Sequence, residues 1–190
     1  MIRGLVRLFV AGAIGAFALD RWLARQPDGK EPVEVVSEVE IAAPPDAVWA
    51  VLADIESQPE WMHDLKRVEI ITGAPIGVGT RAVGTVRILG ITVDDPVEIT
   101  AFEPPTRYAI AHEGLFSGTG TIELSPTATG THVRWTEVLV PPVLPHLGAL
   151  VQRPILGTVF QADSERLRDL VERSVADRPA ADASHTATTA

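Results

Sequence analysis

The chain has 190 residues, enough for one domain with extensions and a sizeable core. Its formal net charge of −9 speaks against binding a nucleic-acid backbone. With no cysteine it holds no disulfide, no thiolate nucleophile and no Cys-based zinc site.

The charge is unevenly spread. Residues 1–32 carry five basic and three acidic groups, net +2, whereas 33–175 carry ten basic and twenty acidic groups, net −10. Within the first segment Leu8–Leu19 is uncharged and flanked by Arg3, Arg7, Asp20, Arg21 and Arg25. As a helix it would be about 18 Å long, short of the roughly 30 Å hydrocarbon core. Extended to residues 2–23 it reaches that length if the arginines snorkel. Three other readings stay open: a secretory signal ending near Ala16-Phe17-Ala18, an extra helix packed on the domain, and a surface helix. In the last, Ile2, Val6, Phe9 and Ala13 share the membrane-facing side. Membrane association of this segment is the expectation, with a cytoplasmic protein otherwise and secretion as the lesser alternative.

Residues 33–41 read as a strand. Pro44 and Pro45 then suit a first helical turn, where amide donors have no intrahelical partner. Val48, Trp49 and Leu52 share the buried face of that short helix, and Pro59 precedes Trp61 in a second one. Further along come Gly77-Val78-Gly79-Thr80-Arg81, then Glu103-Pro104-Pro105-Thr106-Arg107-Tyr108, then Thr129–Glu137 as a final hairpin.

These stretches together resemble the START-like or SRPBCC superfamily, polyketide cyclase/dehydrase type, over about 140 residues. The resemblance implies an α+β helix-grip fold. A curved antiparallel sheet of six or seven strands would wrap a long C-terminal helix, with two small helices after strand 1. It divides the chain into 1–32, a domain at 33–175 and a disordered Ala/Thr/Ser-rich tail at 176–190.

Alternation assigns strand faces. Arg81 and Arg87 belong with solvent, so Ala82, Gly84, Val86 and Ile88 face inward. Gly118, Gly120, Ile122 and Leu124 form the inner set of the next hairpin arm, and Val133, Trp135, Glu137 and Leu139 that of the last strand. The tiny residues Ala82, Gly84, Gly118 and Gly120 leave room under the closing helix unless they mark bulges. Tyr108 and His112 alternate with Ile110 and reach the cavity if that face is inward. Met62 and Phe116 are placed at its mouth; Trp61 is counted with the cavity residues, although like Trp49 and Trp135 it reads first as a core anchor.

Pro154 is expected to separate a short helix (146–153) from the long one (156–175). On the latter Phe160 belongs to an apolar stripe that Asp163 interrupts, and that carboxylate is expected at the cavity edge. Glu137 is expected to be wet or paired with an arginine near its strand's end. Glu137, His112 and Asp163 are the candidate acids and bases, but no catalytic constellation emerges. No His pair has metal-ligand spacing, so no metal and no cofactor is expected.

The favoured function is binding or carrying a small hydrophobic or amphipathic ligand, such as a lipid, isoprenoid, quinone or polyketide-like ring. A cyclase or dehydratase using the same cavity follows from the resemblance. A third reading is a regulatory module that takes a partner helix in an exposed groove. The sequence leaves the oligomeric state open.

Overall fold

The computed structural model describes residues 2–25, 33–88, 90–115, 117–140 and 144–177. Seven strands form one antiparallel sheet: β1 (Val33–Ile41), β2 (Leu65–Ile70), β3 (Arg81–Ile88), β4 (Ile91–Glu103), β5 (Arg107–Glu113), β6 (Ser117–Pro126) and β7 (Thr131–Val140). Their order is β1-β7-β6-β5-β4-β3-β2, so β1 and β2 lie at opposite edges. The chain crosses between those edges through α2 (Pro45–Leu52) and a 3₁₀ turn (Gln58–Glu60). Register shifts at Leu65/Arg67 and Ile99/Ala101 add residues on one strand and bend the sheet. Against its concave face lies α3 (Pro145–Ala176), which completes the helix-grip arrangement.

Local sequence explains these elements. Pro44 is the N-cap of α2 and Pro45 opens it; Val48, Trp49 and Leu52 are all buried. The Gly-x-Gly-Thr-Arg segment turns into β3 with Gly79 at φ +86°, a backbone conformation that disfavours a β-carbon. Glu103 ends β4 and Arg107 opens β5, so the Glu-Pro-Pro segment is their turn.

The core gathers Ile41, Val48, Leu52, Trp61, Val133, Leu167 and Val171, each at most 1% exposed. α3 enters it chiefly along β1, where the Ser37 and Ser164 hydroxyls share a buried 2.8 Å hydrogen bond.

One expectation is corrected here and another is narrowed. The closing helix does not break at Pro154 but runs through it. Proline removes its own amide, so the Leu150 carbonyl loses its helical donor. Leu150 and Pro154 are both exposed, and water can take that place.

At the other end, no helix among the described residues is long and apolar enough to cross a membrane. Instead α1 (Ile2–Leu23) packs on α3 through Asp20, which is 5% exposed. One Asp20 oxygen, Oδ1, accepts the backbone N–H groups of both His146 and Leu147 at 2.9 Å. The N-cap of α3, Leu144, has no side chain to serve them, and Pro145 has no N–H. Asp20 therefore caps a helix more than a hundred residues away, with its charge at the positive end of that helix's dipole. The side suggested to face lipid, that of Ala13, is the side on which Asp20 lies seven residues later. The expected tail falls outside the described residues beyond Asp177.

Candidate functional site

On the side of α3 turned away from β1, toward the other half of the sheet, side chains no longer meet. A cavity of about 200 Å³ remains. Its floor is Ala82, Gly84 and Val86 of β3 with Val93, Val97 and Ile99 of β4; its roof is Leu156, Val159 and Phe160 of α3. Ile55, Gln58, Met62 and Asp64 close it from the β1–β2 crossing. Trp135 stands at the wall between the filled and hollow parts, tilted on Phe160 at a ring-centroid distance of 4.7 Å.

The polar groups form a connected knot at one side. His112 lies between two carboxylates, Nδ1 at 2.7 Å from Asp95 Oδ2 and Nε2 at 2.7 Å from Glu137 Oε1. The second Glu137 oxygen accepts the Trp135 indole N–H at 2.9 Å. Ionised carboxylates only accept, so both ring nitrogens must donate and the imidazole is cationic. Burial alone would push His112 down, but the hydrogen bonds and charges of Asp95 and Glu137 outweigh it and raise the pKa to about 10. The knot of two anions and one cation carries a net charge of −1.

Glycines make this arrangement possible. A β-carbon on Gly120 would sit 2.7 Å from Glu137 Oε2, and one on Gly114 2.8 Å from Asp95 Oδ1. Asp95 Oδ1 and Trp61 Nε1 are the two buried side-chain polar atoms without a partner among the described residues.

Two further groups face the cavity. Asp163 Oδ1 accepts the His63 backbone N–H at 2.9 Å and the Arg166 guanidinium at 2.6 Å, so this one side chain ties the loop after the 3₁₀ turn to α3. Burial raises its pKa, and the His63 and Arg166 contacts offset only part of that rise. Tyr108 is pushed up to about 12 by burial, with Gln58 as its hydrogen-bonding neighbour.

Of the residues singled out from sequence, Ala82, Gly84, Tyr108, His112, Trp135, Glu137, Met62, Phe160 and Asp163 line the cavity. Four do not. Gly118 touches the next strand, since a β-carbon there would fall 1.8 Å from the Val138 carbonyl oxygen; it marks close backbone approach, not space. Gly120 is covered by Glu137. Trp61, 1% exposed, is a core anchor packed edge-on against Trp135 and is not part of the cavity lining. Phe116 lies outside the described residues.

Glu137 is neither wet nor arginine-paired: it is 3% exposed and partnered by His112. Asp163 is likewise buried and inward, not at the edge. Asp95 was missed. Its signal is the β3–β4 register, which sets it opposite the inward Gly84. Among the described residues no cluster of three or more metal-binding side chains is suited to hold an ion.

The family model described as polyketide cyclase / dehydrase and lipid transport matches residues 32–172. The chain belongs to that family. Among solved structures, the chain is similar to the TTHA0849 protein of Thermus thermophilus. The two are 25% identical over 74% of this chain and 98% of that one, with a TM-score of 0.63. It is also similar to the Zhui aromatase/cyclase of a Streptomyces species, R1128, at 20% identity over 75% and 94% of the two chains, TM-score 0.62. The di-domain ARO/CYC StfQ of the steffimycin biosynthetic pathway is 16% identical over 77% of this chain and 52% of that one, TM-score 0.63. At these identities the last two likenesses carry the fold alone. Among curated proteins none matches the chain.

Proposed function

We propose that this member of the polyketide cyclase / dehydrase and lipid transport family binds a compact, uncharged, mostly apolar molecule in the cavity under α3. The observation that carries this is an apolar-walled space in which the central polar groups, His112 and Glu137, are already bonded to each other. The volume of about 200 Å³ falls below the roughly 300 Å³ at which drug-sized sites begin. Such a space encloses a small ring system or one section of a longer chain. Binding would come from apolar surface removed from water, about 25 cal/mol per Å².

Charge narrows the class. The lining holds five carboxylates, from Asp64, Asp94, Asp95, Glu137 and Asp163, and among the described residues no lysine or arginine. Its one cation, His112, is taken up by two of those carboxylates. A carboxylate or phosphate ligand would enter without a counter-charge, which costs several kcal/mol, on the order of the penalty for any unpaired buried ion. Alcohols, phenols, ketones and quinones meet no such barrier.

The test is displacement of the neutral fluorophore N-phenyl-1-naphthylamine from the full chain. Long-chain alcohols should compete and carboxylates of equal length should not. Equal competition by both would remove the uncharged-ligand reading, and no fluorophore binding at all would remove the cavity as a binding site.

A second reading, turnover of a polyketide-like substrate, is favoured by Asp163, a buried carboxyl with raised pKa on the cavity wall. His112 fits it poorly, because a cation at neutral pH has no lone pair to act as base. Asp163→Asn should abolish turnover in an enzyme and leave affinity in a carrier.

A further inference from the structure

The exposed apolar side of α1 is unexplained by the cavity. Asp20 turns one side of this helix to α3, and the other side carries Ile14 at 64%, Phe17 at 61% and Trp22 at 54% exposure. With Ala18, Arg21 and Arg25 these residues fall at i, i+3, i+4, i+7, i+8 and i+11, one continuous stripe. Arg21 and Arg25 are exposed. The same spacing runs back through the sequence from Ile14 to Arg7 and Arg3. The one acidic residue of Ile2–Leu23 is Asp20, and it is withdrawn as the cap of α3.

We propose that α1 is an interfacial helix that lies on an anionic lipid bilayer, with Phe17 and Trp22 in the headgroup–acyl boundary and arginines on lipid phosphates. Three observations select this occupant. No described helix is apolar enough to cross, so the helix lies on the membrane. The stripe combines large apolar side chains, which need hydrocarbon to leave water, with cations and no anion. A second copy of the chain fits badly. Parallel pairing sets Arg21 against Arg21, and antiparallel pairing sets the Arg21 end against the end whose sequence carries Arg3 and Arg7. The domain at 33–175, net −10, is repelled by the same surface, so contact is confined to α1.

The attachment also sets distance. Asp20 holds His146 and Leu147, and the cavity roof begins at Leu156, nine residues or about 14 Å further along α3. The docked helix would keep the cavity roof within that reach of the bilayer.

The experiment is sedimentation of the full chain with vesicles of phosphatidylcholine alone or mixed with phosphatidylglycerol. Binding should need the anionic lipid and fall steeply with added salt. The double variants Phe17→Ser/Trp22→Ser and Arg21→Glu/Arg25→Glu should each lower it by roughly tenfold or more. Ile91→Ser, at a residue 68% exposed at the start of β4, should not. Brominated lipid should quench Trp22 selectively, because Trp49, Trp61 and Trp135 are at most 8% exposed. If a double variant melts early, Arg25→Glu alone, beyond the end of α1, is read in its place. Equal binding to neutral vesicles would overturn the proposal. So would no binding, or self-association abolished by these variants while vesicles are ignored.

Discussion

The two halves of the sheet meet α3 in opposite ways. Along β1 the helix is in full contact: Val35, Ile41, Leu167 and Val171 are buried, and Ser37 bonds Ser164. Over β3 and β4 the same helix stands off, and Ala82, Gly84 and Val97 line the cavity. One half spends its apolar surface on packing, and the other keeps it for something else. A single rigid helix held down at one edge of a bent sheet produces both outcomes. The ionic knot of Asp95, His112 and Glu137 sits beside the boundary, where Trp135 divides filled from hollow.

The sharpest way to break this contrast is to cut the knot. Glu137→Ala leaves a buried imidazolium with one partner and an indole N–H with none. Urea denaturation should register a loss of about 3–5 kcal/mol, the cost of breaking a buried pair from one side. A loss near zero would mean that the knot is solvated and the boundary soft. Next comes the filled half. Leu167→Ala at a site 1% exposed should cost about 2–5 kcal/mol, read from the same curves.

The third test is pH. The folded-state pKa of His112, about 10, lies above its ordinary 6.5. Its stabilising contribution is therefore complete below about 6.5 and declines as pH rises toward 10. Denaturation midpoints measured from neutral to alkaline pH should fall for the native chain and flatten in His112→Gln. A native profile that is flat or rises over that window contradicts the assignment.

The smallest stability effect belongs to the hollow half. Val97→Phe adds volume where there is room and should shift stability by less than about 1.5 kcal/mol, since nothing well packed is displaced. It should nonetheless abolish displacement of the naphthylamine probe. Retained binding with a filled floor would place the ligand elsewhere.

The sequence made the architecture readable because its signals are local. The double proline opens α2, Gly79 adopts the turn conformation, and alternation in Arg81–Ile88 sorts solvent from cavity without any knowledge of neighbours. The site was half readable. Ala82 and Gly84 do line the cavity, though a β-carbon on Gly84 would meet the Leu65 side chain at 3.0 Å, but Gly118 looks identical in sequence and instead admits the Val138 carbonyl. Smallness announces proximity or emptiness, and only the partner strand says which. Asp95 was invisible for the same reason, because its facing depends on pairing with Gly84. Glu137 and Asp163 were read as near water because an isolated carboxylate is costly to bury. Their partners, His112 and the His63 amide, come from 25 and 100 residues away.

One consequence follows from Asp20. Because the first helix supplies the acceptor for the opening amides of the last, the chain is latched end to end. A protease that clips the segment after Leu23 would unseat more than a surface helix. It would leave the His146 and Leu147 amides to water and let the start of α3 fray toward the stretch that covers the hollow. Release of the N-terminal arm and loosening of the lid would then be one event.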